Sequence, residues 1–124
     1  MEPVPLEIRL RKKSRVLSVA YADGGSFDLG FEYLRVHSPS AEVRGHGPGQ
    51  ETLQKGKESV LIERVEPVGH YAIRLVFDDG HDTGLYTWKY LYELGRDHDR
   101  LWQAYLDRLE AAGYARRPAE SPGP

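Results

Sequence analysis

The side chains able to do chemistry in this sequence are five histidines, His37, His46, His70, His81 and His98, set among acids and glycines with no cysteine anywhere. Without a thiolate the chain forms no disulfide, no sulfur-ligated zinc site, no iron–sulfur ligation of its own and no cysteine nucleophile. No histidine begins a His-x-Asp or His-x-Glu pair, the local half of a 2-His-1-carboxylate iron triad, and no His-Glu-x-x-His occurs. His81-Asp82 and His98-Asp99 are doublets too short to mark a site. His81 is distinguished by Asp78, Asp79 and Asp82 around it, a set suited to weak binding of a hard cation. A turn histidine beside acids is more often simply hydrated.

The glycines suggest phosphate chemistry and then fail to supply it. A P-loop needs four residues between its first Gly and Gly-Lys, followed by Ser or Thr to reach magnesium. Here six residues separate Gly49 from Gly56-Lys57, and Glu58 occupies the hydroxyl position. The run Gly45-His46-Gly47-Pro48-Gly49 has no strand–Gly–helix surround, so a dinucleotide fingerprint is absent as well. Ser26 follows Gly24-Gly25 with no helix behind it, which removes the nucleophile elbow.

Composition narrows the partners. A formal net charge of −2 over 124 residues gives no global reason to bind nucleic acid or an acidic membrane. The basic group Arg9, Arg11, Lys12, Lys13 and Arg15 falls at a strand end and a turn, where a hydrated connector is the plain reading. Tyr86, Trp88, Tyr90 and Tyr92 could stack bases, yet no basic surround accompanies them; at helical spacing Trp88 and Tyr92 share a face and read as core, which leaves Tyr86 and Tyr90 as the pair that could be exposed as a binding patch. No apolar run approaches the ~20 residues of a membrane span, and Met1 to Leu10 contains no hydrophobic signal core. A soluble cytoplasmic protein is expected.

The elements that must position these groups follow from periodicity. Leu6, Ile8 and Leu10 alternate with charged residues, the pattern of a half-buried strand, and Val16 to Tyr21 is its hairpin partner. Asp23-Gly24-Gly25 turns the chain into a short return strand, Ser26 to Leu29, and Phe31 to His37 reads as a short helix stopped by Ser38-Pro39. Pro39 to Lys57 is expected to be a long loop. Val60 to Val65 and Tyr71 to Phe77 form a second hairpin, and Asp78 to His81 the next turn. Thr87 caps a helix from Trp88 that should stop at Gly95. A last helix, capped by Asp97 and closed by Gly113, carries a stripe of Leu101, Trp102, Tyr105, Leu106 and Leu109 expected to cover the sheet. The sequence thus specifies one α+β domain over residues 1–113, mainly antiparallel hairpins with short helices and a C-terminal amphipathic helix. The tail 114–124 is expected to be disordered.

Ala22-Asp23-Gly24, a strand ending at Leu29, then Phe31 and Tyr33-Leu34 correspond to Asp78-Asp79-Gly80, a strand ending at Leu85, then Trp88 and Tyr90-Leu91. Two strand–strand–turn–strand–helix units from a duplication would explain this, and so would chance, since Asp-Gly turns recur widely.

Leu34-Arg35 followed by Ser38-Pro39-Ser40, with Asp79-Gly80-His81 later leading into Trp88 and Leu91, resembles the gamma-butyrobetaine hydroxylase-like N-terminal domain. The resemblance covers about Leu6 to Leu94. It implies a small stand-alone bacterial protein of unknown function. Related domains precede the catalytic domain of 2-oxoglutarate-dependent carnitine-pathway hydroxylases or are joined to P-loop ATPases carrying iron–sulfur clusters. In the hydroxylases the domain holds a structural zinc through three cysteines and one histidine. By position those cysteines fall on Ser38, Ser40 and Val43, and the histidine on His81. The catalytic iron ligands lie in another domain.

Two functions remain in play. One is a non-catalytic accessory module, linked to iron–sulfur or metal handling, that presents Arg35, Asp79, Gly80, His81 and Tyr86 together with the Pro39–Lys57 loop to a protein partner. An iron–sulfur carrier P-loop ATPase or an oxygenase would be such a partner. The other is a zinc- or iron-binding protein or small metalloenzyme that uses His81 with Asp79, Asp82 and one or two of His37 and His46. The expectation is no enzyme, no bound cofactor, no nucleic acid and no membrane.

Overall fold

The computed structural model describes residues 3–45 and 51–117. Among these residues six strands and four helices follow in order: β1 (Pro5–Arg11), β2 (Val16–Tyr21), β3 (Ser26–Gly30), α1 (Phe31–Val36), α2 (Ala41–Arg44), β4 (Ile62–Val68), β5 (Ala72–Phe77), β6 (Leu85–Thr87), α3 (Trp88–Arg96) and α4 (His98–Ala111). The strands form two three-stranded antiparallel sheets, ordered β1-β2-β3 and β4-β5-β6. The α+β class expected from the sequence is the class observed.

The two sheets repeat each other in register. Pro5 pairs with Tyr21 and Glu7 with Ala20, leaving Leu6 as a bulge; Ile62 pairs with Phe77 and Arg64 with Val76, leaving Glu63 as the same bulge. Leu17 faces Leu29, and Ile73 faces Tyr86. Both turns use one device. The Asp23 carboxylate accepts the Gly25 N–H at 2.7 Å and Asp79 that of His81 at 3.2 Å. Gly24 and Gly80 take φ of 91° and 88°, which a side chain would strain. A shared bulge, register and turn are more than recurring Asp-Gly dipeptides produce, so the chain is two β-β-β-α units, with α2 between them and α4 added.

The units interlock through tyrosines. Tyr21 and Tyr33 of the first donate to the α3 carbonyls of Trp88 (2.8 Å) and Leu94 (2.7 Å). Tyr86 and Tyr90 of the second donate to Leu34 O (2.6 Å) and His37 O (2.5 Å) at α1. A single core runs through both units, with Leu17, Leu29, Leu34, Ile62, Leu75, Leu91 and Leu94 at its centre.

Several expectations need correction. Leu6 does not share the buried face of Ile8 and Leu10; the bulge turns it outward and it is 75% exposed. Leu29 corresponds to Tyr86 rather than Leu85, because an extra residue enters before β6. The second unit's first strand runs Ile62–Val68, not Val60–Val65, since the bulge lets pairing continue to the turn. The expected loop from Pro39 contains α2, capped where Ser40 Oγ accepts the Glu42 N–H at 3.2 Å; His46 to Gln50 lie outside the described residues. Gly95 does not stop α3. It stands within the helix because a Cβ there would lie 2.3 Å from the Phe27 ring. Asp97 precedes α4 without capping it, its carboxylate being held by Arg96 and Arg100. The α4 stripe divides: Leu101 and Trp102 lie against the main core, while Tyr105 and Leu109 pack with Val36 and Leu53 beside α1.

The C-terminal segment is also tied down as far as it is described. Arg116 Nε donates to the buried Glu32 at 2.9 Å, and its guanidinium lies 5.3 Å from the Trp102 ring centroid. Tyr114 OH and the Arg117 N–H reach Glu58 at 2.8 and 2.9 Å. Within the tail expected to be disordered, Tyr114, Arg116 and Arg117 thus bond to two buried carboxylates, and residues 118–124 lie outside the described residues. Ending the chain at Gly113 should lower stability by roughly 1–3 kcal/mol, the cost of leaving such acceptors unpaired. Denaturant midpoints of the shortened and full chains measure it, and equal midpoints would show that the segment contributes nothing.

Candidate functional site

The polar constellation sits where the end of α1, the start of α2 and the β5–β6 turn meet. Pro39 ends α1 and extends the chain, which directs Ser38 toward the second unit's turn. Ser38 Oγ lies 2.7 Å from His81 Nε2, and His81 Nδ1 lies 3.2 Å from Glu42 Oε2. A carboxylate only accepts, so Nδ1 carries the proton, and Nε2 accepts from the Ser38 hydroxyl. Ser38 Oγ in turn accepts the Ser40 N–H at 3.3 Å, and Ser40 Oγ pairs with Thr83 Oγ1 at 2.8 Å.

A charged layer adjoins this chain of bonds. Asp79 Oδ2 accepts from Arg35 Nε at 2.9 Å and Lys57 Nζ at 2.7 Å, while Oδ1 holds the His81 N–H. Arg35 also donates to Gln54 Oε1 at 3.1 Å and lies 5.9 Å from the Phe77 ring centroid. Burial alone would raise the Asp79 pKa, but Lys57, the His81 amide and Arg35 outweigh it and bring it to about 2. His81 is depressed chiefly by burial and then by the Arg35 charge, against the pull of Glu42. His81 is therefore neutral at pH 7.

Glu42, His81 and Ser38 have the connectivity of a Ser-His-acid triad. The surroundings differ from those of a nucleophile. Ser38 is 1% exposed. The cavity it borders measures about 130 Å³, below the ~300 Å³ at which ligand pockets begin. The following amides are engaged: Glu42 N–H on Ser40 Oγ, and those of Val43 and Arg44 on Ser40 O, so these do not face a developing oxyanion.

The structure brings Ser38, Ser40 and His81 together, with Val43 buried on α2 nearby in sequence. Zinc does not fit this set. Ser38 occupies the nitrogen a metal would take, valine offers no donor, and one true ligand remains of the four that structural zinc requires. His37 is turned away, with Nδ1 2.9 Å from Tyr33 O. His46 lies outside the described residues, and among those described no three His, Asp or Glu converge to hold a metal ion. Arg35 is buried against Asp79 rather than presented outward. Tyr86, a candidate for an exposed binding patch, is fully buried because its register with Ile73 turns it inward and leaves Leu85 outside.

Two features escaped sequence reasoning. Gly84 is needed because a Cβ there would lie 2.3 Å from Ser38 Oγ, and Glu42 supplies the acid. Neither is marked locally, since both depend on contacts about forty residues away.

The chain belongs to the gamma-butyrobetaine hydroxylase-like N-terminal family, whose sequence profile matches residues 8–92. It is similar to a protein solved by solution NMR at 51% identity, covering 100% of this chain and 98% of that one, with a TM-score of 0.81. A second NMR structure shares 49% identity over 95% of this chain and 88% of that one, at a TM-score of 0.80. A crystal structure of a protein of unknown function from Acidithiobacillus ferrooxidans, assigned to the DUF971 family, shares 47% identity over 73% of this chain and 91% of that one, at a TM-score of 0.63. No curated protein matches.

Acid should unfold the protein in two stages. His81 and His37 are depressed by burial below the ordinary 6.5, so the unfolded chain takes up protons first and stability falls as pH drops below about 6.5. Asp79, held near 2 against an ordinary 3.8, contributes stability above pH 3.8 that is lost toward pH 2, on the order of 2 kcal/mol. Unfolding free energy followed against pH should show both falls, with the first reduced in His81→Gln. A profile flat from pH 7 to 5 would contradict a buried neutral His81.

Proposed function

We propose that this domain is a non-catalytic accessory module that binds a protein partner, in the iron–sulfur or metal-handling setting in which related domains occur. One observation supports this reading above others: the groups best suited to chemistry are engaged inside the fold. His81 is held at both nitrogens, and Asp79 by Arg35, Lys57 and its own turn. Such a constellation fixes the end of α1 against the second unit and leaves the outer surface to act. An iron–sulfur carrier P-loop ATPase or an oxygenase is the partner that the family's known contexts favour. Zinc or iron binding by His81 with nearby acids is the competing reading, and it would first have to break the Ser38–His81 bond.

Metal analysis of protein purified without a histidine tag decides between them. The accessory reading expects well under one zinc or iron per chain and a melting curve unmoved by chelator; stoichiometric metal would overturn it. The variant Ser38→Cys, Ser40→Cys, Val43→Cys should gain tight zinc binding that His81→Ala weakens sharply. A folded triple variant indifferent to zinc would show that α2 does not approach His81 closely enough.

A further inference from the structure

The two units share their bulge, register and turn, yet of a pair of equivalent grooves one is filled and the other is open among the described residues. In the second unit's turn, Asp79 faces α1, and residues 51–60 lie across them: Lys57 pairs with Asp79, and Gln54 with Arg35. Glu32, Arg35 and Val36 are buried, at 8%, 7% and 8% exposure, beneath this segment together with Arg116, Tyr105 and Leu109. The equivalent place in the first unit lies between the Asp23 turn and α3. The counterparts there are Lys89, Tyr92 and Glu93, none of them buried, and the groove of about 470 Å³ is floored by Tyr21 and edged by Pro3 and Val4. Tyr92 OH reaches Asp23 Oδ2 at 2.9 Å, as Arg35 reaches Asp79. Among the described residues nothing stands where Lys57 stands. Val4, whose counterpart Leu61 is 37% exposed, is itself 57% exposed.

We propose that this groove docks an extended segment of a partner protein in the way residues 51–60 cover its counterpart. The occupant presents a Lys or Arg to Asp23 and a carboxylate to Lys89, which stands where Glu32 takes Arg116 in the other unit. Charge complementarity selects this occupant. Among the described residues the Asp23 carboxylate has an amide and a phenol as partners and no cation, and the helix position that is acidic in α1 is basic in α3. The inference deepens the accessory-module reading and rests on it for the existence of a partner.

The chain carries its own probe, the ten-residue peptide Glu-Thr-Leu-Gln-Lys-Gly-Lys-Glu-Ser-Val of residues 51–60. Added to ¹⁵N-labelled full-length protein up to about 1 mM, where weak peptide binding is read, it should give saturable shifts at the Asp23, Gly24, Lys89 and Tyr92 amides. The peptide with Lys57→Glu should bind at least about fivefold more weakly, as loss of one partly exposed ion pair predicts. The Asp23→Asn protein should lose the same preference for lysine. Absence of saturable shifts, shifts around Asp79 instead, or binding indifferent to the lysine would each overturn the proposal. Concentration-dependent shifts at the same amides without peptide would overturn it in favour of a second copy of the chain as occupant. None of these outcomes bears on metal content, so the groove and the accessory reading fail separately.

Discussion

Four tyrosine hydroxyls, two buried and two partly buried, hold this fold together, each crossing from one unit to the helix of the other. Helices leave their last carbonyls unpaired, and a short helix sealed in a core cannot give them to water. Tyr33 serves Leu94 O and Tyr90 serves His37 O, and these bonds are counterparts in the repeat. A donor on each unit satisfies the other's helix end, so neither three-stranded sheet with its helix is complete alone. Burial holds the Tyr33 phenol in its protonated, donating form, well above its ordinary range.

The polar constellation follows from this arrangement by a change of packing. In the first unit, Phe27 lies against Gly95 at the end of α3, and the turn carries Gly25. In the second, the residue corresponding to Phe27 is Gly84, the helix end carries Ser38, and the turn carries His81. An aromatic ring over a glycine is thus replaced by a serine–histidine pair over a glycine. The same scaffold gives an apolar plug at one helix end and a hydrogen-bonded polar cluster at the other. A buried imidazole is tolerated because Ser38 and Glu42 satisfy both of its nitrogens.

What was legible in the sequence is what short-range chemistry fixes. The Asp-Gly turns, the Thr87 cap, which accepts the Tyr90 N–H at 3.1 Å, and the Gly113 close at φ 74° are local devices, and each stands where periodicity places it. The resemblance also led to Ser38 and His81 as neighbours, which no local pattern contains. The misses have a common cause. The bulge at Leu6 and the extra residue before β6 each shift a face by one position, which reverses inside and outside in a strand and explains Leu6 and Tyr86. Gly95 reads as punctuation and Gly84 carries no local signal, yet both are clearances for side chains from the other unit, Phe27 and Ser38. Arg116 and Tyr114 lie in a segment without periodicity and are held by carboxylates whose burial cannot be read from the chain.

The central claim is that two equivalent units form one cooperative body through their tyrosine exchange. Native-state hydrogen exchange on Tyr33→Phe tests it most directly, because it reports each sheet separately. If the account is right, the slowest amides of β2 and β5 exchange at one common free energy in the parent. Losing the Tyr33 hydroxyl should then lower both by the same amount, about 1 kcal/mol or somewhat more. A fall confined to one sheet, with the other unchanged, would mean that the units unfold independently and that the exchange of tyrosines is not what joins them.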